Sequence, residues 1–128
     1  MKLLKRFLPI IIIFCICTSV KASSYTVPDG CELLRCTCYL PTGNKTADGS
    51  VPRKGICASN KEHLGQVAVV YDLDLQIIGF FECRDTGSHE GLQDGTRIDI
   101  YRETEQGVRE WQQTVGDWVI VLWVEGNG

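Results

Sequence analysis

Two short segments, Cys83-Arg84-Asp85-Thr86-Gly87-Ser88 and Thr96-Arg97-Ile98-Asp99-Ile100-Tyr101, carry most of the information in this chain. Each places one carboxylate at the end of, or within, an apolar run of the β type, so Asp85 and Asp99 are predicted to lie on strands rather than on free loops. Two carboxylates held close together tune each other's proton affinity, which acid–base chemistry requires. The same spacing is equally compatible with two aspartates that only cap turns.

The first 22 residues have the pattern of a secretory signal peptide. Basic residues within the first six precede an apolar stretch, 7–20, that is short for a membrane span, and residues 20–22 supply small side chains at the usual cleavage offsets. An uncleaved membrane anchor is the alternative interpretation. The sequence thus predicts a signal peptide over 1–22, an N-terminal arm over 23–33 and one β-barrel domain over 34–126.

The charge of the remaining chain limits its partners. Residues 1–22 carry four of the 13 basic residues and none of the 16 acids, so the rest has a formal net charge of −7. An acidic domain is a poor partner for nucleic acid or for anionic membrane surfaces, so membrane contact is expected only through the signal segment. A neutral or mixed-charge ligand such as a glycan suits it better.

Five of the seven cysteines lie beyond residue 22, and an exported domain of this size gains stability from disulfides. Cys57 and Cys83 fall in predicted strands and are expected to pair. Cys31 is expected to pair with Cys36 or Cys38, which leaves one thiol free or bonded between chains.

Zinc ligation is disfavoured because no matching Cys/His pair follows Cys36-x-Cys38. A nucleophilic cysteine is disfavoured because nothing places His63 or His89 beside a thiol. No metal or cofactor is therefore predicted.

Short apolar runs separated by turn residues predict a small β-barrel. One helix is predicted from Thr104 to Gln113, with Thr104 as its cap and with Val108 and Trp111 on its buried face. The glycine-containing segment 86–96 is predicted to be a mobile loop beside Asp85. The predicted strands are Leu34–Leu40, Gly55–Ser59, Gln66–Asp72, Gln76–Cys83, the segment around Asp99 and Trp118–Val124.

The two aspartate segments resemble the motifs of the 3D domain, a double-psi β-barrel named for three aspartates. The resemblance spans roughly residues 34–124, and its other matching segments are Cys38-Tyr39, Thr46-Ala47, Gly55-Ile56, Leu64-Gly65 and 119–124. The domain occurs in bacterial cell-wall proteins and at the core of membrane-bound lytic transglycosylase A. The cysteine-rich form is similar to versions in clostridial-type bacteria and their phages. The resemblance implies a mainly β fold, a small six-stranded double-psi β-barrel with one short helix.

The resemblance also implies a lytic transglycosylase that acts on the glycan strands of peptidoglycan as a secreted, cell-wall-associated monomer. Asp85 would protonate the glycosidic oxygen after N-acetylmuramic acid and then accept the proton of the sugar's 6-hydroxyl, which leaves a 1,6-anhydro product. Asp99 would line the same groove, and Phe80 and Phe81 would give the acid an apolar surrounding. The substrate-binding positions implied are Thr46, Asp48, Ser59, Thr86, Gly87, Arg97 and Tyr101.

Several of these roles have structural alternatives. Arg97 would either orient Asp99 or remain a solvated charge at a strand end. Tyr39, Tyr101 or a tryptophan would stack on sugar faces or belong to the core, and Trp111 is expected in the core.

One departure from the 3D pattern bears on catalysis. The first aspartate of the family ends a strand of the type Val-Ala-Val-Asp, whereas the matching segment here, Ile56-Cys57-Ala58-Ser59, ends in Ser59. Asp48 is a candidate to replace the missing carboxylate. A glycan-binding module without turnover is therefore the main alternative function.

Asp85-Thr86-Gly87 is also the motif of aspartic proteases, in which a chain of this size would form half of a dimeric site. The following Ser88-His89-Glu90 and the absence of a role for the Asp99 strand disfavour that hypothesis. A secreted, disulfide-stapled structural protein or phage-encoded factor is also compatible with the sequence.

Overall fold

The computed structural model describes residues 26–126, so the predicted signal peptide and the start of the predicted arm lie outside the described residues. Six strands are present, and each overlaps a predicted one. The strands are β1 (Glu32–Tyr39), β2 (Ile56–Ala58), β3 (Gln66–Tyr71), β4 (Ile77–Asp85), β5 (Arg97–Tyr101) and β6 (Trp118–Glu125). A 3-10 turn (Lys61–His63) and two helices, α1 (Glu90–Gln93) and α2 (Glu105–Thr114), connect them.

The strands close into a barrel in the order β1-β5-β2-β4-β3-β6. β1 pairs with β5 and β2 pairs with β4 in parallel, and every other neighbouring pair is antiparallel. If β1 is exchanged with β4, β2 with β5 and β3 with β6, the same strands remain neighbours and each pair stays parallel or antiparallel as before. This internal two-fold pairing matches the predicted double-psi connectivity, and closure leaves no open sheet edge.

The barrel interior is filled by alternate residues of each strand, as the period of two requires. On β5, Ile98 and Ile100 are fully buried and point inward, whereas Asp99 between them lies on the outer face. The core consists of Leu34, Cys36, Cys57, Ala68, Val70, Phe81, Cys83, Ile98, Ile100, Trp111, Val119 and Val121.

Helix α2 contributes a tryptophan to this core. The Thr104 hydroxyl caps the helix by accepting a hydrogen bond from the Gly107 N–H at 3.0 Å. Trp111 packs edge-on against Phe81 with ring centroids 5.6 Å apart. The buried residues of the helix are Gly107 and Trp111, four positions apart, and Val108 is only half-buried, contrary to the prediction.

The segment predicted to be a loop between β4 and β5 contains the short helix α1. Leu92 of this helix is buried, and the His89 side chain caps the helix by accepting from the Gly91 N–H. Within residues 26–126, no helix is long and apolar enough to cross a membrane.

The predicted disulfides are not formed, and all five described cysteines are free thiols. The prediction of a disulfide from Cys31 to Cys36 or Cys38 was wrong, because the chain between these residues is an extended strand. The strand from Glu32 to Cys36 alone spans about 13 Å at roughly 3.3 Å per residue. Bridged Cα atoms lie within about 7 Å of each other.

Cys57 and Cys83 do lie directly opposite each other on β2 and β4, as unbonded thiols. The hydrogen bond with Cys83, and then burial, raise the pKa of Cys57 well above its ordinary value. Burial raises the pKa of Cys36 to about 12 and that of Cys38 to about 11. These thiols are therefore expected to be poorly reactive in the folded chain.

Iodoacetamide at pH 8 is expected to modify Cys31 in the native chain and to leave Cys36, Cys57 and Cys83 largely unmodified. The latter three are at most 3% exposed, and only an accessible thiolate reacts. Timed labelling with site-resolved mass spectrometry measures this, and guanidinium chloride should make all sites react alike. Native labelling of Cys36 as fast as Cys31 would contradict the buried position of Cys36.

Replacement of Ile100 by alanine is expected to lower the free energy of unfolding by about 2–5 kcal/mol, because it leaves a cavity in the core. Ile100 is fully buried, whereas Ile77, also on a strand, is 57% exposed. Ile77→Ala is therefore the matched control and should cost less than about 1 kcal/mol. Urea unfolding of both variants measures the difference, and equal costs would contradict the assignment of Ile100 to the core.

Candidate functional site

Four residues form one row on the outer face of the barrel. Thr37 of β1 lies opposite Asp99, Asp99 lies opposite Ala58, and Ala58 lies opposite Asp85. The two aspartates thus flank Ala58, with Cα atoms roughly 10 Å apart at the ordinary spacing of strands. Both aspartates line one cleft of about 220 Å³. The small side chain of Ala58 leaves this space between them unfilled.

A β-bulge brings Asp85 into the row. Cys57 lies opposite Cys83, but the next residue of β2, Ala58, lies opposite Asp85, so Arg84 is an additional residue in β4. In a regular ladder Arg84 would face Ala58, and Asp85 would point to the same side as the buried Cys83. The bulge turns the Asp85 carboxylate to the outer face, which is a common effect of bulges near functional sites.

The Asp85 carboxylate is held by backbone groups from two segments. Its Oδ1 accepts hydrogen bonds from the Ala47 N–H at 3.1 Å and from the Thr86 N–H at 2.9 Å. Its own carbonyl accepts from the Ser59 N–H at 3.1 Å, which ties the end of β4 to β2. The Tyr39 hydroxyl is a further neighbour of this carboxylate, and its interaction with Asp85 contributes to the raised pKa of Tyr39.

The Asp99 carboxylate, in contrast, is engaged on both oxygens. Its Oδ1 accepts from the Thr37 hydroxyl and from Arg97 Nε at 2.8 Å, and Arg97 Nη2 lies 3.4 Å from Oδ2. Asp99 is only 8% exposed. Arg97 therefore orients the Asp99 side chain in the wall of the cleft.

Two tyrosines form a further wall. Tyr39 and Tyr101 lie opposite each other on β1 and β5 and pack edge-to-face at 5.4 Å. The Tyr39 hydroxyl is buried beside Asp85 without a hydrogen-bond partner of ordinary geometry within residues 26–126. Burial, and then the charge of Asp85, raise the pKa of Tyr39, so its hydroxyl stays protonated and can donate.

Ser59, Thr86 and Gly87 border a second cleft of about 440 Å³ that adjoins the first. Thr86 and Gly87 line both clefts. A Cβ atom at Gly87 would lie 2.5 Å from Leu92 Cδ1, so a side chain here would force the leucine to move. The Ser59 side chain is buried, and its hydroxyl has no hydrogen-bond partner within the described part of the chain.

Asp48 does not take the place of the missing third carboxylate. Its side chain accepts hydrogen bonds from Ser50 and Thr46 and pairs with Arg84 at 3.0 Å, and these contacts lower its pKa. It lines a different cleft, of about 430 Å³, together with Glu82 and Arg84. Thr46 is likewise buried within its own turn. This turn contributes to the site through the Ala47 N–H, which donates to Asp85.

The expected apolar surrounding of Asp85 comes from other residues than predicted. Phe80 is 62% exposed on the outer face, and Phe81 lies in the barrel core, so neither lines the cleft. Leu40, Pro52 and Leu92 supply apolar walls instead.

Sequence reasoning missed Thr37 and Ala58. Thr37 lies between Cys36 and Cys38 on β1 and points to the face of the sheet opposite to theirs. This position of Thr37 can be read from the sequence, but the contact of Thr37 with Asp99 depends on the parallel pairing of β1 with β5.

Each histidine makes its contacts with residues other than the cysteines. His63 stacks on Trp123 at 4.0 Å and contacts Gln66 Oε1 at 2.6 Å, and His89 caps α1. Over the described range 26–126, no group of three or more His, Cys, Asp or Glu side chains is placed to hold a metal ion.

Comparison of the chain with protein-family models, with curated proteins and with solved structures gave no match. The cleft combines one carboxylate held by backbone N–H groups, one carboxylate oriented by an arginine, and one buried phenol. This set can donate a proton, accept it again and stabilise a developing positive charge.

Gly87→Ala is expected to lower the free energy of unfolding by about 1–3 kcal/mol, because its Cβ would overlap Leu92. The double variant Gly87→Ala/Leu92→Ala should lose less free energy of unfolding than the two single variants lose in sum, because removal of the leucine side chain relieves the overlap. Urea unfolding of the four proteins in this cycle measures the coupling. Strict additivity would contradict the packing of Leu92 on the Asp85-Thr86-Gly87 turn.

Proposed function

We propose that the chain is a secreted, peptidoglycan-active protein of the 3D type that cleaves glycosidic bonds of the glycan strand as a lytic transglycosylase. The observation that supports this most is the shared cleft of Asp85 and Asp99, in which backbone N–H groups hold Oδ1 of Asp85 and the Tyr39 hydroxyl lies beside the same carboxylate. The resemblance of the two aspartate segments to the 3D motifs supplies the reaction class.

Asp85 is the acid and then the base in this proposal. Its protonated Oδ2 gives a proton to the glycosidic oxygen, and the bond from that oxygen to the anomeric carbon of the muramoyl unit breaks. The 6-hydroxyl of the same sugar then attacks the anomeric carbon and returns its proton to Asp85. The product is a 1,6-anhydro sugar, and no water is consumed. One carboxyl group carries both proton transfers, so this scheme differs from that of two-carboxylate hydrolases.

Asp99 acts by charge rather than by proton transfer. Its carboxylate is oriented by Arg97 and Thr37 and faces the same cleft as Asp85. A fixed negative charge at that position stabilises the oxocarbenium-like transition state, because it is already oriented when positive charge develops on the sugar. Tyr39 supplies a neutral hydroxyl beside Asp85 for a hydrogen bond to the substrate.

A glycan-binding module without turnover is the second candidate, and a specific observation favours it. Ser59 stands where the 3D pattern has its first aspartate, and Asp48 is bound to Arg84 outside the cleft. The cleft therefore contains two carboxylates where the family pattern has three. A protein of this second kind would bind the polymer and release no fragments.

The test is incubation of the chain with purified peptidoglycan, followed by mass spectrometry of the soluble fragments. We expect fragments ending in 1,6-anhydro-muramic acid, which are one water lighter than hydrolysis products. Asp85→Asn should reduce their rate of formation by at least about 100-fold, the usual contribution of a positioned acid. Asp74→Asn, at an exposed aspartate in the turn before β4, is the matched control and should leave the rate unchanged.

The remaining outcomes separate the two candidates. A folded chain that sediments with peptidoglycan and releases no anhydro fragments would overturn catalysis and support the binding module. A folded chain that neither binds nor cleaves the polymer would overturn both candidates.

A further inference from the structure

We infer that two copies of the chain associate as a symmetric dimer, in which Phe80 of each copy enters an apolar pocket of the other copy. This association does not depend on the proposed function, and it differs from the monomer that the 3D resemblance implies. The pocket, here named the arm pocket, has a volume of about 220 Å³. It is lined by Val27, Leu33, Leu73, Trp118 and Ile120.

Strands β3 and β6 are apolar on both faces. Alternate residues of each strand belong to the core, so the residues between them point outward. A sheet with one wet face normally alternates apolar and polar residues, whereas a run that is apolar throughout is typical of strands covered on both faces. The composition of β3 and β6 therefore indicates that a further surface covers their apolar outer face. Its residues are Val67, Val69 and Tyr71 on β3 and Trp118, Ile120, Leu122 and Val124 on β6.

The N-terminal arm covers one side of the apolar outer face. Val27 lines the arm pocket, and a Cβ atom at Gly30 would lie 4.0 Å from Leu122 Cδ1, so the arm runs over β6. Ile120, which lines the same pocket, is 1% exposed. On the β4 side, in contrast, the face is open to solvent, because Phe80 is 62% exposed.

Phe80 lies outside the arm pocket of its own chain. Val69 of β3 lies opposite Phe80 on one side and opposite Leu122 of β6 on the other, so Phe80 belongs to the same outer face. Strands two places apart are separated by roughly 10 Å, and each of these residues is held in a ladder of the closed barrel. The ring of Phe80 is therefore available to the pocket of another copy.

The arm pocket has the size and the chemistry to accept a phenyl ring. All five side chains that line it are apolar. An apolar cavity of about 150 Å³ is large enough for benzene, so the larger arm pocket has room for the Phe80 side chain. Because the ring and the pocket lie on one face, a two-fold axis that places one Phe80 in the partner's pocket also places the partner's Phe80 in the first.

The exposed apolar area suits a dimer of modest affinity. Six large apolar side chains on or beside this face are each between 37% and 62% exposed. With full side-chain areas of roughly 200 Å² each, they expose on the order of 600 Å² per copy. Two copies would bury roughly 1,200 Å², the lower end of specific interfaces, so we expect a Kd in the micromolar range. The six side chains are Leu33, Leu75, Ile77, Phe80, Trp118 and Val124.

Net charge disfavours a lipid surface as the occupant of this face. The chain beyond residue 22 has a formal net charge of −7, and the cytoplasmic and bacterial bilayers that carry anionic lipids repel such a domain. An apolar face of a second copy carries no such field at the contact. The second copy is therefore the occupant that we propose.

The dimer leaves both Asp85 clefts open. In the closed strand order, β3 and β6 lie across the barrel from β5 and β2, which carry Asp99 and Ala58. Each dimer would thus present two clefts that point away from the interface. Two sites on one particle raise the effective affinity for a polymer without any new contact.

The first measurement is sedimentation velocity of the full chain from about 1 to 200 µM, where a micromolar dimer changes from mostly dissociated to mostly associated. Phe80→Ala should weaken the association at least about 10-fold, because it removes the side chain that fills the pocket. Leu33→Glu, which places a charge in the pocket, should do the same. Val51→Ala is the matched control, since Val51 is 71% exposed in the loop before β2, and it should leave the association unchanged.

Two controls separate association from folding. Urea unfolding at nanomolar concentration reports on the separated chain, and Phe80→Ala should keep its midpoint there because Phe80 is largely exposed. Replacement of Phe80 by the photoreactive p-azidophenylalanine, followed by irradiation and mass spectrometry, identifies what the ring contacts. We expect a product of doubled mass, joined to a peptide that contains Leu33 or Trp118.

The other outcomes would overturn the dimer. A monomer at every concentration, or a dimer that Phe80→Ala leaves unchanged, would exclude this interface. A crosslink within one chain to residues 1–25 would assign the face to the chain's own N-terminal segment. A monomer that sediments with phosphatidylcholine vesicles, and that loses this property with Phe80→Ala, would assign the face to lipid.

Discussion

The additional residue in β4 is the constraint on which the rest of the site depends. Because Arg84 is accommodated as a bulge between Cys83 and Asp85, the barrel keeps an apolar interior row and an acidic outer row on the same pair of strands. A regular ladder would have sent the Asp85 carboxylate toward the core, where an unpaired charge is very unfavourable. One inserted residue thus places the end of a core strand in the wall of the cleft.

The same bulge allows Arg84 a structural task of its own. Its guanidinium pairs with Asp48 and Glu82, and its carbonyl accepts from the Asp48 N–H. These contacts hold the Thr46–Ser50 turn against the end of β4, and the neighbouring Ala47 N–H then reaches Asp85. Asp48, which does not line the cleft, therefore helps to orient Asp85, which does.

The two aspartates of the cleft have different surroundings and consequently different capacities. Asp99 is bound by the side chains of Arg97 and Thr37, whereas Asp85 is held through Oδ1 by the backbone N–H groups of Ala47 and Thr86. Acid–base chemistry needs such a division, because a group that transfers protons must contact the substrate while its neighbour provides a constant field. Ala58 lies between the two in the register, and its small side chain leaves the space of the cleft between them.

The sequence by itself determined the six strands and the main helix with its Thr104 cap. Those features depend on local alternation, on capping chemistry and on turn residues, which act over a few positions. The disulfide expectation for Cys31 was wrong, and Asp48, Phe80 and Phe81 lie outside the cleft of the two aspartates, because each position depends on which strands are neighbours and which face a residue occupies. Only the tertiary structure decided that Thr37, Ala58 and Tyr39 stand beside the aspartates and that a bulge turns Asp85 outward. The first physical reason is that the parallel pairing of β1 with β5 and of β2 with β4 joins segments far apart in the chain. The second is that a register shift of one residue reverses the face of every side chain that follows it.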